Sequence, residues 1–309
     1  MKAALVFPGQ GSQSVGMGEA LAREFDAARE TFAEASEAAG FDLAALCFSG
    51  PADQLALTAN TQPCVLTASI AAWRVLSSVT GMTPATSAGH SLGEYSALVA
   101  AGSLPFASAV NAVRKRGEWM QEAVPDGQGA MAAVMGLDAG RLSDLCREAA
   151  QGQVVVPAND NAPGQIVISG HAEAVDRAMS LAKTAGGKCR KLNVSGPFHT
   201  PLMEPAAAKM ESLLAGIDWR PPVFPVRSNV DTKPHGAPEE VVARLRAQIV
   251  SPVRWRETAL AMADEGVELF IEVGPGTALA GLITRTVPEA RSLPMNEPKH
   301  LDPIAKALA

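Results

Sequence analysis

Apolar positions change their period twice along this chain. Ala3 to Phe7 is a short unbroken apolar run that stops at Pro8-Gly9, which predicts a brief buried strand. Beyond it, Met17, Leu21, Phe25, Ala28, Phe32 and Ala35 recur at the spacing of one helix face, within the Ala-rich stretch that ends near Ala39. Gly89 to Gly93 reads as a turn bounded by glycines, and the run from Glu94 through Leu98 and Val99 predicts a helix stopped at Gly102. Strand, sharp turn and helix in that order is the α/β pattern.

After Val124-Pro125-Asp126-Gly127 the rhythm shortens. Ala130 to Val134 predicts a strand, Asp138 to Ala150 a helix, and Val154 to Val156 and Gln165 to Ser169 two strands separated by the turn-rich segment Asn159 to Gly164. Ala172 to Ala185 is again helical and Cys189 to Val194 again extended. The order β-α-β-β-α-β over about 70 residues is that of a ferredoxin-like unit. Pro125 and Ser195-Gly196-Pro197 make natural linkers at its ends. The first rhythm then returns. Leu202, Ala206, Met210, Leu213 and Ile217 stripe one helix, and Val223 to Val226 and Val267 to Val273 predict strands, the latter ending at Gly274-Pro275-Gly276. The expected fold class is therefore α/β, with a large α/β-hydrolase-like domain on a parallel sheet core, residues 1–126 and 196–309. A small ferredoxin-like α+β domain, residues 127–195, is inserted into it. A cleft between the two is the expected place for a site.

Composition narrows the class. With 47% hydrophobic and 19% charged residues the chain is ordinary globular material. No stretch approaches about 18 uninterrupted apolar residues, and the apolar start is shorter than the core of a signal peptide, so a cytoplasmic protein without a membrane partner is expected. The net charge of −6 argues against nucleic acid as the main partner. The four cysteines are scattered without a paired spacing or a neighbouring histidine cluster, which suggests neither a disulfide framework nor a metal site.

The chemistry starts at Gly89-His90-Ser91-Leu92-Gly93, a match to G-x-S-x-G. A serine on a tight strand-to-helix turn crowds its neighbours, so the flanking positions must lack a Cβ. The helix that follows aims its free N–H groups at the serine, and the N–H of Leu92 is aimed where a tetrahedral oxyanion would form. A serine hydroxyl needs a base. Of the five histidines, His171 opens a helix of the small unit, His235 sits in a polar turn and reads as solvated, and His300 lies among polar residues near the end. His90 adjoins the serine, but its side chain should point elsewhere. His199 stands at the domain junction just before a helix. Alone it reads as a helix-flanking residue; beside Ser91 it reads as the base. Arg116 alone reads as a solvated helix residue among Arg114 and Lys115.

Phe7-Pro8-Gly9-Gln10-Gly11-Ser12-Gln13, Gly89 to Glu94, Arg116-Gly117, Gly196-Pro197-Phe198-His199 and Glu272 to Gly276 together resemble, in order and spacing over nearly the whole chain, the malonyl-CoA:acyl carrier protein transacylase family and the related acyltransferase domains of fatty-acid and polyketide synthases. The resemblance implies that Ser91 carries an acyl ester and that His199 is general base and then general acid. It implies that the backbone N–H groups of Gln10 and Leu92 form the oxyanion hole and that Arg116 grips the free carboxylate of malonate. The main-chain carbonyl of Gln248 would orient the histidine, and Phe198 matches an aromatic of malonyl-selective members. The substrates would be malonyl-CoA and acyl carrier protein, in service of fatty-acid biosynthesis, with no metal or other cofactor and a monomeric enzyme.

An acidic carrier would suit either of two basic groups, Lys183, Lys188, Arg190 and Lys191 or Arg254 and Arg256, which otherwise read as solvated charge. Alternatives remain: a polyketide-pathway acyltransferase, a serine hydrolase or esterase using an aspartate between Ser91 and His199, and a non-catalytic carrier-binding module.

Overall fold

The computed structural model of the protein describes residues 1–194 and 196–309; Ser195, where the expected small domain and its linker meet, lies outside the described residues. Nine strands fall into two sheets among these residues: β1 (Ala3–Phe7), β2 (Thr86–Gly89), β3 (Gly129–Met135), β4 (Val155–Ala162), β5 (Gln165–His171), β6 (Lys188–Lys191), β7 (Val226–Arg227), β8 (Leu269–Val273) and β9 (Arg291–Met295).

One sheet runs in the order β7-β2-β1-β8-β9, and each neighbouring pair is parallel. Its central strands β1 and β8 are buried along their whole length, as expected where helices cover both faces of a parallel sheet. The register sets Leu5 opposite Ser87 on one side and Ile271 on the other, so that β1, β2 and β8 end together below the serine turn. The longest helix, Thr58–Thr80, is long and apolar enough to cross a membrane by length and composition, but 72% of its apolar window is buried inside the fold. It packs against the helices Asp26–Ala39 and Phe106–Glu122 as a core element.

The other sheet is antiparallel, in the order β4-β5-β3-β6. The two-residue period of β3 divides its neighbours. Ala130, Ala132 and Val134 join Ile166 and Ile168 under the helices Ala139–Ala150 and Ala172–Thr184, while Met131 and Val167 face the large core. Asp138 starts the first of these helices by accepting the Arg141 N–H at 2.8 Å.

Three expectations need correction. The stripe from Met17 to Ala35 is not one helix: Phe25 is extended between the helices Glu19–Glu24 and Asp26–Ala39. The segment expected as a turn, Asn159 to Gly164, is mostly strand. β4 continues to Ala162 through register shifts at Pro157/Asn159 and Asp160/Ala162, because Val253 supplies a second partner, with Asp160 N donating to Val253 O and Val253 N to Ala158 O. β7 is confined to Val226–Arg227, since the prolines at 221, 222 and 225 have no N–H to give a ladder. β9 lies outside the strands expected from the sequence, and its Pro294 suits the sheet edge it occupies.

Candidate active site

β2 delivers the chain to a turn that runs directly into the helix Gly93–Ala100, and Ser91 sits at its apex with φ +52°. The left-handed region disfavours a residue with a side chain, and such strain persists only where the surroundings hold it. Here they do. A Cβ on Gly89 would overlap the Gly93 carbonyl, and one on Gly93 would overlap the Phe7 carbonyl, so both glycines are required for the turn to close on β1. Asn229 pins the apex from below: its Oδ1 accepts the Ser91 N–H at 2.7 Å and its Nδ2 donates to Gly89 O at 2.7 Å. The next N–H along, that of Leu92, has no acceptor among the described residues, nor has that of Gln10 on the loop after β1. Both residues line the cavity above Ser91. The Gln10 side chain points away, donating to Thr58 Oγ1 at 3.2 Å.

His199 is also left-handed, at φ +61°, and is 4% exposed. Its Nε2 lies 2.8 Å from Ser91 Oγ and its Nδ1 lies 2.8 Å from the Gln248 carbonyl oxygen. A carbonyl can only accept, so Nδ1 carries the proton and Nε2 presents its lone pair to the serine hydroxyl. Burial and then the Arg116 charge hold the imidazole down at about 3, against a smaller opposing effect of the Gln248 carbonyl. The ring is therefore neutral in neutral solution.

Arg116, on the helix Phe106–Glu122, is 1% exposed, not solvated. Its Nη1 donates to Gln62 Oε1 at 2.8 Å, and its Nη2 donates to Gln248 Oε1 at 2.8 Å and to Ser91 Oγ at 3.1 Å. Nε has no partner among the described residues, and none of these three acceptors is a carboxylate. A buried guanidinium hydrogen-bonded to amides and a hydroxyl, with the Tyr95 ring 5.6 Å from its carbon, keeps its charge beside the serine. Gln248, at the end of the helix Pro238–Val250, donates through Nε2 to Ser91 O at 2.9 Å and to Glu94 Oε2 at 2.8 Å. Glu94 in turn takes the Asn229 N–H at 3.1 Å and meets His235 Nε2 at 2.7 Å.

All seven residues singled out in the sequence thus converge: Ser91, His199, Gln10, Leu92, Arg116 and Phe198 line one cavity, and Gln248 lies directly behind it. Phe198 is buried there with Met120 and Met131. His90 turns away from the serine, to Asn161 Oδ1 at 2.8 Å. His235 is corrected: its backbone N–H bonds to Val226 O and folds the polar turn inward, so the ring is buried against Glu94. The network of Asn229, Gln62, Glu94 and His235 escaped the sequence reading. Glu94 alone left a signal, an acid in the helix Gly93–Ala100, whose other residues are nearly all apolar or small. Such a helix is buried all round, and a carboxylate inside it must have partners.

A neutral imidazole set between a strained serine and a carbonyl, with free N–H groups beside it, defines a serine acyl-transfer site. The chain belongs to the acyltransferase family whose model, described as an acyl transferase domain, matches residues 4–302. Within it, the chain is 51% identical over 296 residues to the malonyl CoA-acyl carrier protein transacylase of Escherichia coli strain K12, covering 96% of each chain. It is 46% identical over 303 residues to that of Bacillus subtilis strain 168, covering 97% of this chain and 95% of the relative. Among solved structures, the malonyl CoA-acyl carrier protein transacylase of Coxiella burnetii superposes with a TM-score of 0.98 at 46% identity, over 100% of this chain and 98% of that one. A malonyl-transacylase solved in complex with a type II PKS acyl-carrier protein superposes with a TM-score of 0.97 at 46% identity, over 99% and 100%.

Proposed function

We propose that this chain transfers a malonyl group from malonyl-CoA to the phosphopantetheine thiol of acyl carrier protein, through an ester on Ser91. The observation that carries the reading is Arg116, a buried cation hydrogen-bonded to no carboxylate among the described residues, 3.1 Å from Ser91 Oγ. A planar carboxylate matches a guanidinium fork with two parallel hydrogen bonds. His199 Nε2 takes the Ser91 proton as Oγ bonds to the thioester carbon, and the carbonyl electrons move onto oxygen, facing the N–H groups of Leu92 and Gln10. Collapse breaks the C–S bond, and the departing CoA thiolate takes the proton from His199. The carrier thiol then gives its proton to His199, attacks the ester carbon and expels Ser91 Oγ, which is reprotonated. These residues account for every proton and bond, so the scheme calls for neither metal nor redox cofactor. Among the described residues no carboxylate completes a triad: His199 Nδ1 faces the Gln248 carbonyl, Asp138 caps a helix, and Asp144, Asp160 and Asp176 pair with Arg147, Arg256 and Lys191.

The product serves fatty-acid synthesis in this reading. The carrier's acidic surface would meet Lys183, Lys188 and Arg190, which are exposed and ion-paired to no acid among the described residues; β6 leads from them to Leu192 and Val194 at the cavity. Arg254 and Arg256 are less suited, being paired to Glu257 and Asp160. We read the small segment, 127–195, as a ferredoxin-like insert, supported by its strand order of second, third, first and fourth. The large part, 1–126 and 196–309, is read as a hydrolase-like α/β domain, and the protein as a cytoplasmic monomer.

The test is intact-mass measurement after mixing with malonyl-CoA. A single malonyl adduct that holo acyl carrier protein discharges, and that Ser91→Ala lacks, supports the reading; an adduct on Ser91→Ala, or none on the unsubstituted protein, refutes it.

A further inference from the structure

Glu94 lies beneath the serine turn and lines no part of the cavity, yet its bonds end on groups that hold the reacting ones. Oε2 accepts from Gln248 Nε2 at 2.8 Å and from the N–H of Asn229, the residue that clamps Ser91; Oε1 faces His235 Nε2 at 2.7 Å. The Gln248 amide therefore stands between neighbours of opposite kind. A carboxylate only accepts and a guanidinium only donates. With the amide nitrogen committed to Glu94 Oε2 and Ser91 O, the amide oxygen can only face Arg116 Nη2. Turned over, the amide would set donor against donor at Arg116 and acceptor against acceptor at Glu94. The arrangement also keeps the two charges one amide apart. A carboxylate directly on Arg116 would occupy the fork that an anionic substrate needs.

We infer that Glu94 is a positioning residue for the substrate's carboxylate, acting through the side-chain amide of Gln248 to aim the Arg116 guanidinium while leaving its charge unneutralised. This rests on the reading that Arg116 grips that carboxylate. His235 and Asn229 hold Glu94 in place, so the relay runs from the floor of the turn to the substrate side without touching the transferred carbon.

The experiment is the ratio of acylation kcat/KM for malonyl-CoA to that for acetyl-CoA in the full chain. Glu94→Ala is expected to lower this ratio at least about tenfold, the scale of a mis-set hydrogen bond to a charged group. Glu94→Gln, whose amide oxygen can still receive Gln248 Nε2, is expected to restore it to within about threefold. Gln248→Met removes the relay while keeping the main-chain carbonyl, and is expected to lower the ratio likewise; Glu94→Ala added to it should change the ratio no further. A purely structural Glu94 would reduce both substrates alike. Arg116→Ala in the same assay separates the outcomes. A ratio that falls in Arg116→Ala but holds in Glu94→Ala, or in Gln248→Met if Glu94→Ala does not fold, overturns the inference alone. A Glu94→Gln ratio as low as that of Glu94→Ala also overturns it. A ratio that holds in Arg116→Ala overturns the carboxylate reading and the inference with it.

Discussion

Asn229 holds Ser91 by its main chain: the amide oxygen of Asn229 takes the serine N–H, and the amide nitrogen returns a bond to Gly89 O, each at 2.7 Å. One side chain thus closes the strained turn from strand to helix and commits the N–H of the serine itself. The N–H of Leu92 remains free for the substrate side. Asn229→Ala leaves two main-chain groups without partners, which costs about 1–3 kcal/mol each when buried. The variant is expected to unfold at lower denaturant and to acylate more slowly; unchanged values of both would mean that the turn is held by its glycines alone.

His199→Ala should slow acylation by about 10²- to 10⁴-fold, the usual contribution of a general base. His90→Ala should cost much less, since its ring is turned to Asn161. Single-turnover acylation of both variants decides this, and equal losses in folded proteins would unseat His199 as the base.

Arg116→Ala should weaken malonyl transfer and spare acetyl transfer. A charged hydrogen-bonded partner contributes about 1.5–3 kcal/mol, on the order of 10- to 150-fold in specificity. Arg116→Lys should recover only part, because an ammonium is a point charge without the fork. Steady-state kcat/KM for both acyl-CoAs is the measurement, and equal losses would make Arg116 structural.

The pH dependence follows from a lowered value. With the His199 imidazole held near 3, the base stays unprotonated as pH falls, and acylation kcat/KM should hold level from about pH 8 to about pH 5. A base titrating at the ordinary 6.5 would show a tenfold loss for each unit below that point. The same shift bears on stability. The unfolded imidazole binds its proton at the higher value, so this contribution is complete above 6.5 and is lost as pH falls toward 3. A pH–rate profile with parallel denaturant melts measures both.

What could be read in advance was what local geometry dictates. Gly89 and Gly93 announce the serine turn because only glycine fits there, and β1 and β8 announce themselves as unbroken apolar runs. Gln248 was reachable only through resemblance, since a main-chain carbonyl carries no side-chain signature. Asn229 and His235 were not reachable at all, because their partners lie 138 and 141 positions away and nothing near them in the chain hints at the pairing. The strand through Asn159 to Ala162 was hidden for a similar reason: turn-forming residues were drawn into the ladder by distant Val253.

The charge of Arg116 reaches His199 as well as the substrate. Burial is the larger restraint on proton uptake by the imidazole, and that cation adds a second one. A malonyl carboxylate laid on the guanidinium cancels the charge that restrains the ring. The cargo's own charge thereby loosens the lesser of the two restraints on the base that transfers it, which a neutral acetyl group cannot do.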